Sequence, residues 1–326
     1  MLRACALAAL ALAAACADQS RPHPGAGSSA SPISAREGYL DVPGGRIWYR
    51  TTGGGPRTPV ILLHGGPGYS SFYLRVLDSL GVDRPTIRYD QLGGGKSSRT
   101  TDTLLFTIPH FVAELDSVRR TLAGDQVFLV GHSWGTILAL EYYRAHPDHV
   151  AGLILASPAL DIPEWERHAR ELVSTLPDSL QRAIRLSEQT GDFTTPAYQA
   201  ALGAFYERYV WRHPLQADLD STLQSVNELI YNYMQGPSEF TIVGTLKHYD
   251  ATSFLPDVRV PTLFTVGEFD EANPATVRRF ADLTPGATVA VIPGAAHITT
   301  WDNPPAMLHV VRTFLAGVDS VRAATK

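Results

Sequence analysis

The sequence predicts an α/β fold, a mostly parallel, doubly wound sheet with helices on both faces and a helical cap insertion, and three observations predict it. Short apolar runs of strand character alternate with helical patterns along most of the chain. The alternation is broken once, between about residues 158 and 250, by a stretch with helical patterning and no comparable strand. One strand also turns directly into a helix through Gly131-His132-Ser133-Trp134-Gly135, a corner that holds its central residue at the edge of such a sheet.

Size and composition bound the reading. With 326 residues, 44% of them hydrophobic and 18% charged, the chain can bury the core of one large domain carrying an insertion, or of two domains. The net charge is −5 at pH 7 and no run of like charges or basic stripe is present, which speaks against nucleic acid as a partner.

At the amino terminus Met1-Leu2-Arg3 precedes an alanine-rich apolar stretch from Ala4 to Ala15. That run is too short to cross a bilayer and has the shape of a secretory signal peptide, so residues 1–17 are assigned to a signal. Leu12-Ala13-Ala14-Ala15-Cys16 resembles a bacterial lipobox, in which the cysteine is lipidated and attaches the protein to a membrane, although Ala13 stands where leucine is usual. Plain cleavage after Ala15 or Ala17, giving a periplasmic or secreted protein, is the competing expectation. Cys5 and Cys16 both fall here, which leaves no disulfide for the mature fold. Residues 18–36, rich in Ser, Pro, Gly and Ala, read as a flexible tether.

The core is expected over residues 37–157 and 251–326. Tyr39-Leu40-Asp41-Val42 and Arg46-Ile47-Trp48-Tyr49-Arg50 flank Pro43-Gly44-Gly45 as a hairpin. Val60-Ile61-Leu62-Leu63 is a buried strand whose exit, His64-Gly65-Gly66-Pro67-Gly68, exposes backbone N–H groups. Thr86-Ile87-Arg88-Tyr89 is the next strand, leading into Asp90-Gln91-Leu92-Gly93-Gly94-Gly95-Lys96-Ser97. This loop lacks the first glycine of a phosphate-binding loop and reads as a structural loop beside the site. A helix from about Ile108 to Leu122 precedes the Ser133 strand, a helix from Thr136 to Ala145 follows it, and Val150 to Ala156 is another strand.

Residues 158–250 form the helical cap, with aromatics at Trp165, Phe193, Tyr198, Phe205, Tyr206, Tyr209, Trp211, Tyr231 and Tyr233. Some are expected to line a pocket and the larger part to form the insertion's own core. The alternation resumes with the strand Thr262–Val266 into Gly267-Glu268-Phe269-Asp270-Glu271, then Val289–Ile292 into Pro293-Gly294-Ala295-Ala296-His297. A closing helix is expected from Pro304 to Leu315.

Ligand sites of open parallel sheets collect at the carboxyl ends of strands, and Ser133, Asp270 and His297 all fall there. A neutral hydroxyl is a poor nucleophile and needs a base, which in turn needs an acceptor to fix its tautomer. Ser133 as nucleophile, His297 as base and Asp270 as orienting acceptor meet that need, in the chain order of an α/β hydrolase. His132 beside the nucleophile, His248 in the insertion and His309 in the last helix are weaker bases. The backbone N–H groups of Trp134 and Gly66 are the expected oxyanion hole. No metal-ligand motif and no cofactor motif is present.

Together, the His64–Gly68 loop, Asp90-Gln91-Leu92-Gly93, the Gly131–Gly135 turn, Gly267–Asp270 and Gly294–His297 resemble the proline iminopeptidase family of α/β hydrolases, from about Glu37 to the carboxyl terminus. The resemblance implies removal of amino-terminal residues, proline above all, from peptides or amino acid amides, with no cofactor. Leu92 stands where the family commonly has arginine. Tyr231-Asn232-Tyr233-Met234-Gln235-Gly236-Pro237-Ser238-Glu239-Phe240-Thr241, and Glu271 after the catalytic aspartate, resemble the tricorn-interacting aminopeptidase and L-amino acid amidase branch. That resemblance implies that Glu239 and Glu271 bind the free amino group of the substrate. Each carboxylate about 4 Å from an ammonium, at an effective dielectric near 20, supplies on the order of 4 kcal/mol before desolvation. Fold and triad do not fix the acyl group, so a carboxylesterase or lactonase is the alternative, and a non-catalytic binding protein a further one.

Overall fold

The computed structural model describes residues 33–214 and 217–324. The expected signal, Cys16 and most of the tether lie outside the described residues. Strands β1 (Ala35–Val42) and β2 (Gly45–Thr52) form the hairpin, paired antiparallel from Ala35 opposite Thr52 to Val42 opposite Gly45. β1 therefore starts two residues before the expected core boundary at 37. A backbone ladder at an exposed edge needs no apolar side chains, so composition does not mark where it begins.

β2 pairs antiparallel with β4 (Thr86–Tyr89), and the remaining pairings are parallel. The described residues form an eight-stranded sheet in the order β1-β2-β4-β3-β5-β6-β7-β8. Here β3 is Val60–Leu63, β5 Val127–His132, β6 Val150–Ala156, β7 Thr262–Gly267 and β8 Thr288–Ile292. β3, β5 and β6 are buried along their whole length, as apolar runs covered on both faces must be. From β3 the chain moves to one neighbour, β4, and then returns to the other, β5. The crevice at that switch point lies outside the carboxyl ends of β3 and β5.

Helix α1 (Ile108–Val118) runs on through a π-helical turn to Ala123 and leads into β5. Helix α2 (Trp134–Ala145) follows β5 without a loop, two residues earlier than its periodicity predicts, and is buried on nearly all sides. Its side chains Ile137, Leu138 and Leu140 are fully covered, each worth about 1.5–3 kcal/mol of apolar burial, so the corner before it is clamped from below.

Between β6 and β7 the chain forms helices α3 (Ile162–Val173), α4 (Asp178–Thr190), α5 (Pro196–Tyr209), α6 (Ala217–Gln224) and α7 (Glu228–Met234). Phe193, Tyr198, Phe205, Tyr209 and Phe240 stack edge to face or tilted and make this region's own apolar centre. After β7 come α8 (Pro274–Leu283), β8, the short α9 (Thr299–Asp302) and α10 (Pro304–Ala324). α10 is longer than the expected helix because its buried stripe, Met307, Val311, Leu315 and Val318, continues at helical spacing beyond Leu315. Among the described residues no helix is long and apolar enough to cross a membrane.

Candidate active site

Ser133 caps α2 with φ 53° and ψ −122°, a region that non-glycine residues avoid. Its N–H donates to the Ala156 carbonyl (3.0 Å), and its own carbonyl accepts from the Thr136 N–H (2.8 Å) and hydroxyl (2.6 Å). A β-carbon at Gly135 would lie 2.3 Å from the Leu63 carbonyl oxygen, so this corner fits against β3 only with glycine there. A β-carbon at Gly65 would come within 2.8 Å of the Ser133 β-carbon, which shows how tightly the glycine loop closes on the Ser133 corner.

His297 leaves the loop after β8, and its Nδ1–H donates to Asp270 Oδ1 (2.9 Å). Oδ1 also accepts from the Ala272 N–H (2.8 Å), while Oδ2 accepts from the Gly267 N–H (3.1 Å) and the Ser157 hydroxyl (2.6 Å). Burial alone would push the Asp270 carboxyl up. His297, the Ser157 hydroxyl and the Ala272 N–H outweigh it and hold the group below the usual carboxylate range. The His297 ring is flanked by His132 at 4.6 Å and by Trp165, edge on, at 5.4 Å between centroids. Ser133 and His297 line one cavity together with Gly66, Tyr69, Tyr206 and Glu239. The structure thus joins Asp270 to His297 directly. It places Ser133 on the same cavity, with its hydroxyl unbonded among the described residues.

His132 is excluded as the base on physical grounds. Its Nδ1 accepts from the Tyr73 hydroxyl (2.8 Å), its Nε2–H donates to the His297 carbonyl (2.9 Å), and the Tyr73 oxygen accepts from the Gly65 N–H (2.6 Å). Burial, and then the neighbouring His297, push its pKa down to about 3, which leaves the ring neutral. The glycine loop is braced from its other side. The Trp134 indole N–H donates to Gln91 Oε1 (2.8 Å), and Gln91 donates from its amide to the His64 carbonyl (3.2 Å) and from its backbone to the His64 ring (3.0 Å). In the loop after β4 the Asp90 carboxylate accepts from Ser71 and from the Lys96 backbone, and the Lys96 ammonium sits over the Trp48 ring.

Glu239 follows α7 and lines both cavities that open on Ser133. Its Oε1 accepts from the Tyr231 hydroxyl (2.7 Å) and its Oε2 from the Gln235 amide (3.4 Å). Glu271 has no exposed surface, and neither carboxylate oxygen has a hydrogen-bond partner among the described residues; Oε1 is 4.0 Å from His297 Nδ1. Burial raises the Glu239 carboxyl, against the pull of His297 and Tyr231. Burial, then the Glu239 and Asp270 charges, raise Glu271 well above the ordinary range. Of the insertion's aromatics, Trp165, Tyr206, Trp211 and Tyr231 line these cavities.

Sequence reasoning missed Tyr69, Tyr73, Gln91, Ser157 and Asp302. Ser157 stands directly after a strand, the same signal that marked Ser133 and Asp270. The others act through contacts that join chain-distant segments and leave no local pattern. Among the described residues no group of three or more His, Cys, Asp or Glu side chains is arranged to hold a metal ion.

Residues 58–304 match the family model described as alpha/beta hydrolase fold. A proline iminopeptidase of Heyndrickxia coagulans is 41% identical over 287 residues, covering 86% of this chain and 99% of the relative. Among solved structures, VinJ superposes with a TM-score of 0.84 at 32% identity, over 88% of this chain and all of that one. A proline iminopeptidase of Mycobacterium smegmatis gives 0.81 at 31% identity with the same coverage.

Proposed function

The chain belongs to the proline iminopeptidase family of α/β hydrolases and is a serine aminopeptidase, and from that premise we propose how it releases an amino-terminal residue, proline foremost. The substrate's ammonium sits between Glu239 and Glu271, which sets the first carbonyl over Ser133. His297 takes the Ser133 proton as the oxygen attacks, and Asp270 holds the imidazolium in place through Nδ1–H. The backbone N–H groups of Gly66 and Trp134 face the oxygen that becomes negative. His297 then gives its proton to the departing amine, and a water activated by the same ring hydrolyses the acyl-enzyme.

The observation that carries this reading is the buried Glu271 carboxyl, without a hydrogen-bond partner among the described residues and 4.0 Å from His297 Nδ1, with Glu239 lining both cavities that open on Ser133. An unpartnered buried carboxylate costs several kcal/mol, and a cation that must enter with the substrate offsets that cost only when the correct ligand is bound. The reading is tested with proline and other amino acid p-nitroanilides, free and N-acetylated, beside p-nitrophenyl acetate. The free proline anilide should be turned over and its N-acetylated form should lose at least about 100-fold in kcat/KM, the loss of about 3 kcal/mol of ion pairing. Equal turnover of the two forms would contradict it.

The amino-terminal segment is proposed to direct export. Protein isolated from its native cells should begin at Cys16, by lipidation or by plain cleavage after Ala15, or at Asp18, by cleavage after Ala17; a cytosolic protein beginning at Met1 would overturn this.

A further inference from the structure

Ser157 is a non-glycine residue at positive φ, 49°, like Ser133, and like Ser133 it stands at the carboxyl end of a strand, here β6. Glycine adopts this conformation freely, so a serine held there carries backbone strain that the contacts of its hydroxyl must offset. β6 lies between β5, which delivers Ser133, and β7, which delivers Asp270. The Ser157 region touches all three members of the triad. The Ala156 carbonyl accepts from the Ser133 N–H (3.0 Å), and the Ser157 N–H donates to the Thr265 carbonyl (2.7 Å) on β7. The Ser157 oxygen lies 2.6 Å from Asp270 Oδ2 and 2.9 Å from the His297 carbonyl.

A carboxylate has about four acceptor positions, and Asp270 fills four: His297, Ala272, Gly267 and Ser157. His297 must stay where the proton moves, and the Ala272 and Gly267 donors are backbone. Among the described residues Ser157 is thus the one side chain besides His297 that fixes the rotation of this carboxylate. Its bond to a charged acceptor is of the stronger kind, and with no exposed surface water cannot replace it.

We propose that Ser157 is a positioning residue for the Asp270–His297 pair, a fourth side chain of the catalytic apparatus that acts on turnover and not on substrate binding. Its hydroxyl aims Asp270 Oδ1 at His297 Nδ1, and its strained backbone is what brings the hydroxyl there. This rests on the triad reading above.

The test is Ser157→Gly, which suits φ 49° and removes the hydroxymethyl group, with Ser157→Ala, which removes the hydroxyl alone, and Ser133→Ala beside it. Kinetics on free proline p-nitroanilide, thermal melts and the proton NMR resonance of His297 Nδ1–H are recorded for each. Ser157→Gly should lower Tm less than Ser157→Ala, because relief of the strain offsets part of the lost bond, keep KM within about 3-fold, lower kcat about 10- to 100-fold, and shift or broaden the Nδ1–H resonance. Ser157→Ala should show the same kcat loss with a lower Tm, since alanine keeps the strain. Wild-type kcat and an unmoved resonance in Ser157→Gly, with Ser133→Ala inactive, would overturn this role alone. An active Ser133→Ala would overturn the triad reading beneath it.

Discussion

Glu271 carries opposing demands in a single side chain. Its carboxylate is buried without a partner, so its pKa is raised by burial and by the Glu239 and Asp270 charges, and a folded-state proton is held more tightly than an unfolded one. For such a group stability is fully present below the ordinary glutamate pKa and is lost as pH rises toward the raised value. Glu271→Gln should therefore melt higher than wild type at alkaline pH, by about 2 °C or more for each kcal/mol recovered, with the difference shrinking below the ordinary glutamate range. The same substitution, like Glu239→Gln, should raise KM for free amino acid anilides at least about 10-fold and leave p-nitrophenyl acetate turnover nearly unchanged. Equal losses on both substrates would contradict the ammonium role. In wild type, KM for the free anilide should fall as pH rises through the raised carboxyl range, since the pair must shed its proton to receive an ammonium. Ser133, Asp270 and His297 were legible in the sequence because each follows an apolar strand. The setting of Glu271 was not, because its burial and its lack of a partner depend on α3, α5 and the His297 loop closing around it.

The segment after α5 ties the insertion to the His297 loop. The Tyr209 carbonyl accepts from the N–H groups of both His297 (3.1 Å) and Glu271 (3.4 Å), and the Val210 carbonyl accepts from Ile298 (2.9 Å). Asp302, at the end of α9, accepts from the Arg212 and His213 N–H groups through Oδ1 (2.8 and 3.1 Å) and from the Ala296 N–H through Oδ2 (2.8 Å). Removing that carboxylate would strand three backbone donors, at about 1–3 kcal/mol for each one left buried. Asp302→Ala should destabilise the protein by about 2–4 kcal/mol and speed amide exchange over residues 295–302 and 209–213 together. Faster exchange in one segment without the other would show that the two are not coupled. Element boundaries were readable where periodicity changes and misread where it does not. α2 begins at Trp134 because the elbow needs no loop, β1 begins at Ala35 because ladder bonds are blind to side chains, and α10 outlasts Leu315 because its stripe does.

Across the whole molecule, the alternation of strands and helices revealed the sheet and the interruption between β6 and β7, but not the strand order that places β3 and β5 side by side at the switch point. Nor could the aromatics of residues 158–250 be sorted, since Phe205 and Tyr206 are neighbours in sequence yet one packs on Phe240 and the other lines the site. The fold also buries Glu114 on α1, whose Oε2 accepts from the Leu92 N–H (3.0 Å) while Oε1 has no partner; burial pushes it up to about 8 against that one donor. Stability that Glu114 contributes below about pH 4.5 is lost as pH rises toward 8, so Glu114→Gln should flatten the fall in Tm between about pH 4.5 and 8. An unchanged slope would show that Glu114 does not set it. What the fold as a whole achieves is to bring a hydroxyl and an imidazole from two strand ends onto one cavity, with a carboxylate from a third bonded to the imidazole. The most direct measurement is kcat for free proline p-nitroanilide in folded Ser133→Ala. A drop of about 10⁴-fold or more is the predicted result, and turnover close to that of the unaltered enzyme would contradict the account.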